Sequence, residues 1–145
     1  MSKVEDFLSA NQEQEIVAAI KVAEKDTSGE IRVHIEPSSD KEHYKRAVEV
    51  FDVLKMNTTK LQNAVLIYVA VIDKKFVIYG DKGIDKVVSA TFWDSTKNTI
   101  QQHFKNGNFS QGIIEGVLKA GKELKNHFPY QKDDVDELSN EISKG

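Results

Sequence analysis

Cysteine is absent from this 145-residue chain, so neither disulfides nor thiolate metal ligands contribute to it. No apolar stretch approaches the roughly 20 residues needed to cross a bilayer. The N-terminal run Met1-Ser2-Lys3-Val4-Glu5-Asp6 has neither an apolar core nor a cleavage pattern. No signal peptide or membrane insertion is therefore expected, and a cytoplasmic location is the default. Three catalytic signatures are missing as well: the Gly-x-Ser-x-Gly elbow, the phosphate-binding Gly-x4-Gly-Lys-Ser/Thr loop and the dinucleotide Gly-x-Gly-x-x-Gly run. Nor is there a surplus of basic charge. The net charge is −3. All of it sits in residues 131–145, where Asp133, Asp134, Asp136, Glu137 and Glu141 face only Lys132 and Lys144. Residues 1–130 hold 18 acids and 18 bases, a balance that argues against nucleic acid or an anionic membrane as partner.

What remains is the composition of a soluble globular protein, 39% hydrophobic and 30% charged. Its length suits one domain with a sizeable core, expected over residues 1–130. The acidic segment 131–145 carries only Val135, Leu138 and Ile142 as sizeable apolar groups, and is expected to be a flexible tail.

The strongest local signal lies at residues 64–80. Ala64 to Ile72 is nine unbroken apolar residues, the pattern of a strand covered on both faces. Asp73-Lys74-Lys75 then leaves room for a tight turn into a second strand, Phe76 to Gly80. Earlier in the chain, Ser9 can cap a helix over about 10–25, in which Ile16, Val17, Ile20 and Ala23 share a face. Glu30 to Glu36 alternates strictly, with Ile31, Val33 and Ile35 on one face and Glu30, Arg32, His34 and Glu36 on the other. Pro37-Ser38-Ser39-Asp40 ends that strand and offers a cap to a helix over about 41–55. After a short helical turn through Val88, two more helices are expected over about 91–105 and 110–127. A strand–helix–strand unit favours a parallel pair with a right-handed crossover, and the third strand then pairs antiparallel. The expected architecture is α/β, a three-layer α/β/α sandwich around a small mixed sheet with an antiparallel hairpin.

The hairpin would bring the chain before Asn63 beside Gly80-Asp81-Lys82-Gly83-Ile84-Asp85. Asp81 and Asp85 stand four apart across a glycine-containing turn. Asn63 and the Thr58 and Thr59 oxygens approach from the facing loop, and Asp26 joins the same sheet end if the first strand is parallel. Carboxylate, amide and hydroxyl oxygens are the donors that calcium and magnesium take. The plainer alternative makes Asp81 and Asp85 a turn former and a helix cap. His34, between Glu30 and Glu36, offers an acid–base or metal cluster, but a solvated strand face in which Arg32 pairs with its neighbours is the simpler expectation. Gly80-Asp81-Lys82-Gly83 has the spacing of an RNA-clamping loop, yet it follows a strand and Asp81 would repel phosphate.

Several blocks together resemble the TPM-domain family. They are Ala23-Glu24 followed by Thr27-Ser28-Gly29-Glu30-Ile31-Arg32-Val33, then Asn63-Ala64-Val65-Leu66-Ile67-Tyr68 after Met56 and Thr59, and Tyr79-Gly80-Asp81-Lys82-Gly83-Ile84. Phe104, Gly107-Asn108-Phe109, Gly112, His127-Phe128-Pro129 and Asp136-Glu137-Leu138 are similar to its short, stand-alone bacterial branch. The resemblance implies a Rossmann-like fold. The family includes thylakoid-lumen proteins of photosystem repair and a membrane-anchored receptor modulator, and its plant branch is credited with acid phosphatase activity and calcium binding. This chain departs from the usual Asp-Asn-Gly before the central strand, reading Gln62-Asn63-Ala64, and carries an acid at Asp81 where many relatives carry an apolar residue.

The resulting expectation is a monomeric, regulatory or interaction module that binds calcium or magnesium through Asp81, Asp85, Asn63, Thr59 and Asp26. A protein partner is left open. The rival is a metal-dependent acid phosphatase, for which Arg32 and Lys82 supply charge but no nucleophile or general acid stands out.

Overall fold

The computed structural model describes residues 7–130 and 138–145. Among the described residues, five α-helices and four β-strands follow one another: α1 (Ala10–Glu24), β1 (Glu30–Glu36), α2 (His43–Val53), β2 (Ala64–Ala70), β3 (Lys75–Gly80), α3 (Lys82–Asp85), α4 (Asp94–Lys105), α5 (Phe109–Lys125) and β4 (Ser143–Lys144). A single turn of 3₁₀ helix, Met56–Thr58, leads from α2 toward β2.

Local chemistry sets most of these boundaries. Ser9 and Gln12 form a reciprocal capping box at the start of α1: the Gln12 N–H donates to Ser9 Oγ at 3.2 Å, and the Ser9 N–H donates to Gln12 Oε1 at 2.9 Å. The cap of α2 is Glu42 rather than Asp40. Its carboxylate accepts from the N–H groups of Tyr44 and Lys45, because the chain turns into the helix two residues later than the serine-rich loop suggests. β2 ends at Ala70. Val71 and Ile72 already belong to the turn, where their N–H groups bond to the carbonyls of Glu36 and Pro37.

The sheet order is β3-β2-β1-β4. β1 and β2 are parallel, with Glu30 opposite Ala64 and His34 opposite Tyr68, while β2 and β3 form the expected antiparallel hairpin. Every residue of β2 is buried, as its unbroken apolar sequence requires. One face, carrying Ile31, Val33, Ile35, Val65, Ile67 and Val69, packs under α1, α4 and α5. The other, carrying Ala64, Leu66, Tyr68 and Ala70, packs under α2 through Ala47, Val50 and Phe51. The layers are α/β/α. Gly121 makes the close α1–α5 contact possible, since a Cβ there would come within 2.7 Å of Ala23 Cβ.

The C-terminal segment differs from the tail expected from its composition. Residues 131–137 lie outside the described residues, but 138–145 lie along the body. Ser143 and Lys144 pair in parallel with His34 and Ile35, and the Gly145 N–H bonds to the Ile35 carbonyl at 3.1 Å. Ile142 packs on the α1/α5 side and Leu138 on the α2 side. The Leu138 N–H donates to Glu30 Oε1 at 2.6 Å, and Lys144 pairs with Glu13 of α1 at 2.6 Å. Backbone pairing and two apolar side chains suffice to hold a segment that its acidity would leave in solvent.

Candidate functional site

The parallel β1–β2 pair and the β2–β3 hairpin place three chain segments at one end of the sheet: the residues before β1, the loop 59–63 and the start of α3. Their backbones interlock. The Asp81 N–H donates to the Ala64 carbonyl at 3.0 Å, the Gly83 N–H to the Gln62 carbonyl at 2.8 Å, and the Glu30 N–H to the Asn63 carbonyl at 3.4 Å. Gly83 is required here. A Cβ on it would overlap the carbonyl oxygens of Leu61 and Gln62. Gln62 adopts φ 51°, a left-handed conformation that a residue with a side chain takes at a cost of about 1–3 kcal/mol.

Asp81, Asn63 and Thr59 are all buried at this end. Asp81 caps α3 with one carboxylate oxygen, Oδ1, which accepts from the Lys82 N–H at 2.8 Å. Its second oxygen, Oδ2, is buried without a hydrogen-bond partner, and so is Thr59 Oγ1. Asn63 reaches the pre-β1 segment through Nδ2, which donates to Ser28 Oγ at 3.4 Å. Helix capping therefore accounts for only half of the Asp81 carboxylate.

Two predicted members stand apart from this buried set. Asp85 is exposed at the last position of α3, and its N–H bonds to the Asp81 carbonyl at 3.2 Å. Asp26 is exposed in the α1–β1 connection, and its carbonyl accepts from the Tyr130 N–H at 3.2 Å. It lies at the same end of the sheet because β1 is parallel to β2. No bond joins it to the loop cluster among the described residues. Nor do three or more histidines or acids gather there as a metal cluster. The oxygens available are one or two carboxylates with neutral amide, hydroxyl and carbonyl groups.

A second polar cluster lies on the α2 face, where a solvated strand face was expected. Glu36 is buried and accepts from Arg46 Nε at 3.0 Å and Arg46 Nη2 at 2.8 Å, from the Tyr68 hydroxyl, and from His34 Nε2 at 2.9 Å. His34 Nδ1 bonds Ser143 Oγ at 2.8 Å, and its ring stacks on Tyr68 with centroids 5.8 Å apart. Burial pushes the Glu36 carboxyl up, but the bonds from Arg46, Tyr68 and His34 outweigh it and hold the group at about 2. Burial lowers His34 against the opposing pull of Glu36, and raises Tyr68 together with Glu36. A carboxylate with this many donors is held in place rather than free to take a proton. The alternation of Glu30 to Glu36 showed that this face is polar; it did not reveal that α2 and residues 138–145 would cover it. Arg46 and Tyr68 carried no signal of their own, because both sit at ordinary helix and strand positions.

Comparison with known proteins places this geometry in a family. The TPM-domain model matches residues 1–123. The chain belongs to the TPM-domain family. This TPM domain is 62% identical to the BA42 protein of the psychrophilic bacterium Bizionia argentinensis, over all of both chains, and the two structures agree with a TM-score of 0.93. The N-terminal domain of the cg2496 protein of Corynebacterium glutamicum has the same fold at 11% identity, with a TM-score of 0.65 over 98% of this chain and 84% of that one. An N-terminal domain from P. gingivalis matches at 18% identity and a TM-score of 0.68, over 86% and 81% of the two chains. No functionally curated protein matches. Among the described residues, no helix of this TPM domain is long and apolar enough to cross a membrane.

Proposed function

We propose that this TPM domain is a regulatory module that binds a divalent cation, calcium or magnesium, where loop 59–63 meets α3. One observation carries the reading. Asp81 Oδ2 and Thr59 Oγ1 are buried without partners at the junction of two loops. A buried polar atom left unpaired costs about 1–3 kcal/mol, and one such atom on each of the two interlocked segments is what a ligand held between them would satisfy. The donors fit a hard cation, which takes carboxylate, hydroxyl and carbonyl oxygens. Asp81 and Thr59 would hold the ion, with the Asn63 amide and the exposed Asp85 carboxylate completing the set through direct or water-mediated contacts. Asp26 belongs to an outer ring. Affinity rises with the number of charged ligands and the rigidity of the site, so a single buried carboxylate places the dissociation constant at about 10⁻⁴ to 10⁻³ M.

The test uses Thr59→Val and Asp81→Asn, with thermal unfolding followed as calcium is raised. In the absence of cation Thr59→Val leaves stability unchanged or raises it, because it removes an unsatisfied hydroxyl. With calcium the same variant gains less stabilisation than the wild type, and Asp81→Asn gains almost none. A Thr59→Val protein that responds to calcium as the wild type does would remove Thr59 from the site. Equal responses from all three proteins would overturn the reading.

A further inference from the structure

β3 forms one edge of the sheet, and its outward side is unpaired among the described residues. The Asp81-to-Ala64 hydrogen bond fixes the parity of the ladder. Tyr79, Val77 and Lys75 turn their backbone groups toward β2, so the N–H and C=O of Phe76 and Ile78 point away from the sheet. Beside this edge runs a groove of about 480 Å³ between β3, α4 and the start of α2. Its floor includes Phe76, Ile78, Phe104 and Tyr44. Lys74, Lys75, Lys97 and Lys105 line it, and no acidic residue does. All four lysines are exposed, and none pairs with an acid among the described residues. In a body whose charges balance overall, this is a local concentration of one sign. The lysines also lie on both faces of the strand edge, because Lys75 points to the α2 side while Lys97 and Lys105 come from α4.

We propose that this edge is a docking site for an acidic, extended segment of a partner protein, which adds to the sheet as a fifth strand on β3. The free backbone groups of Phe76 and Ile78 supply the pairing, the aromatic floor receives alternate side chains, and the lysines select for carboxylates on both faces. A second copy of this chain is a poor occupant, since pairing β3 with β3 would set the two sets of lysines against each other. The site lies at the hairpin-turn end of the sheet, away from Asp81, and does not depend on cation binding.

The probe is an eight-residue peptide built from glutamate pairs separated by valine, titrated into the ¹⁵N-labelled full chain without calcium. The proposal expects shifts centred on Phe76 and Ile78, slowed amide exchange at those two residues, and binding that weakens with salt. N-methylation of consecutive central peptide residues should reduce affinity at least about tenfold, since it removes backbone donors from both edges of the peptide and leaves the charge intact. Lys97→Glu with Lys105→Glu should do the same, and both positions are exposed enough to leave the fold undisturbed. The proposal is overturned if the N-methylated peptides bind as well as the parent, if shifts scatter over the other lysines, or if the β3 amides broaden with protein concentration alone. Preferential binding of single-stranded DNA or phosphatidylserine vesicles at the same lysines would also overturn it.

Discussion

Replacing Glu36 with glutamine gives a sharp test of the buried network on the α2 face. Glu36 titrates at about 2 in the folded chain against an ordinary 4.5, because four hydrogen bonds to its charged form outweigh the cost of burial. At about 1.36 kcal/mol per pH unit, that difference is worth about 3 kcal/mol to the folded state. The sign follows from the lowered value. The contribution is complete above pH 4.5, where the unfolded chain is also ionised, and is lost as pH falls from 4.5 toward 2. His34 acts in the same direction over a higher window. Burial lowers its pKa below 6.5, so acid protonates the unfolded chain first and stability declines as pH drops below that value. Glu36→Gln keeps the shape but removes the charge, leaving Arg46 with only the more exposed Glu49 as an ionised partner. Urea unfolding at pH 7 should show a loss of about 3 kcal/mol, equivalent to a melting point about 6–12 °C lower for a domain of this size. The difference between the two proteins should shrink between pH 4.5 and 2, and other carboxylates cancel in the comparison. A difference equally large at pH 7 and pH 2.5 would refute the assignment.

Deleting residues 138–145 should lower stability by about 2–4 kcal/mol, the burial of Leu138 and Ile142 with the loss of the β4 pairing; circular-dichroism melting checks it. Gly83→Ala should cost about 1–3 kcal/mol by forcing α3 away from the Leu61 and Gln62 carbonyls, and should weaken calcium binding in the same protein, measured by melting with and without calcium. Purified protein with calcium or magnesium should not hydrolyse a generic phosphate ester between pH 5 and 8 near the usual enzyme range of about 1–1000 per second. Turnover in that range, abolished by Asp81→Asn, would make the domain a phosphatase.

Much of the fold was legible because single residues or runs imposed it. Ser9 capped α1 as its position suggested. The unbroken run from Ala64 could only be satisfied in the middle of a sandwich, and the polar residues after it made the hairpin. Two features were not legible, for different reasons. β4 is two residues held largely by backbone bonds, and backbone bonding leaves no pattern in side chains. The polar face of β1 was visible, but what covers it depends on Arg46 from one element and on Ser143 from another, more than a hundred residues away from His34. The loop cluster stood between these cases. The hairpin placed Asn63 near Asp81, while the burial of Thr59 and the left-handed turn at Gln62 came from the interlocked backbones.

The central claim, a divalent cation held where loop 59–63 meets α3, is tested most directly by a calcium titration followed by NMR. Cation binding at about 100-fold excess over the dissociation constant stabilises the domain by roughly 2.7 kcal/mol. The amides of residues 57–63 and 80–86 should move together along one binding curve, while those of residues 113–127 stay in place, and the melting temperature should rise in step. Calcium raised to about 100 times the expected dissociation constant that shifts neither loop nor the melting temperature would contradict the account, leaving Asp81 as the cap of α3 and nothing more.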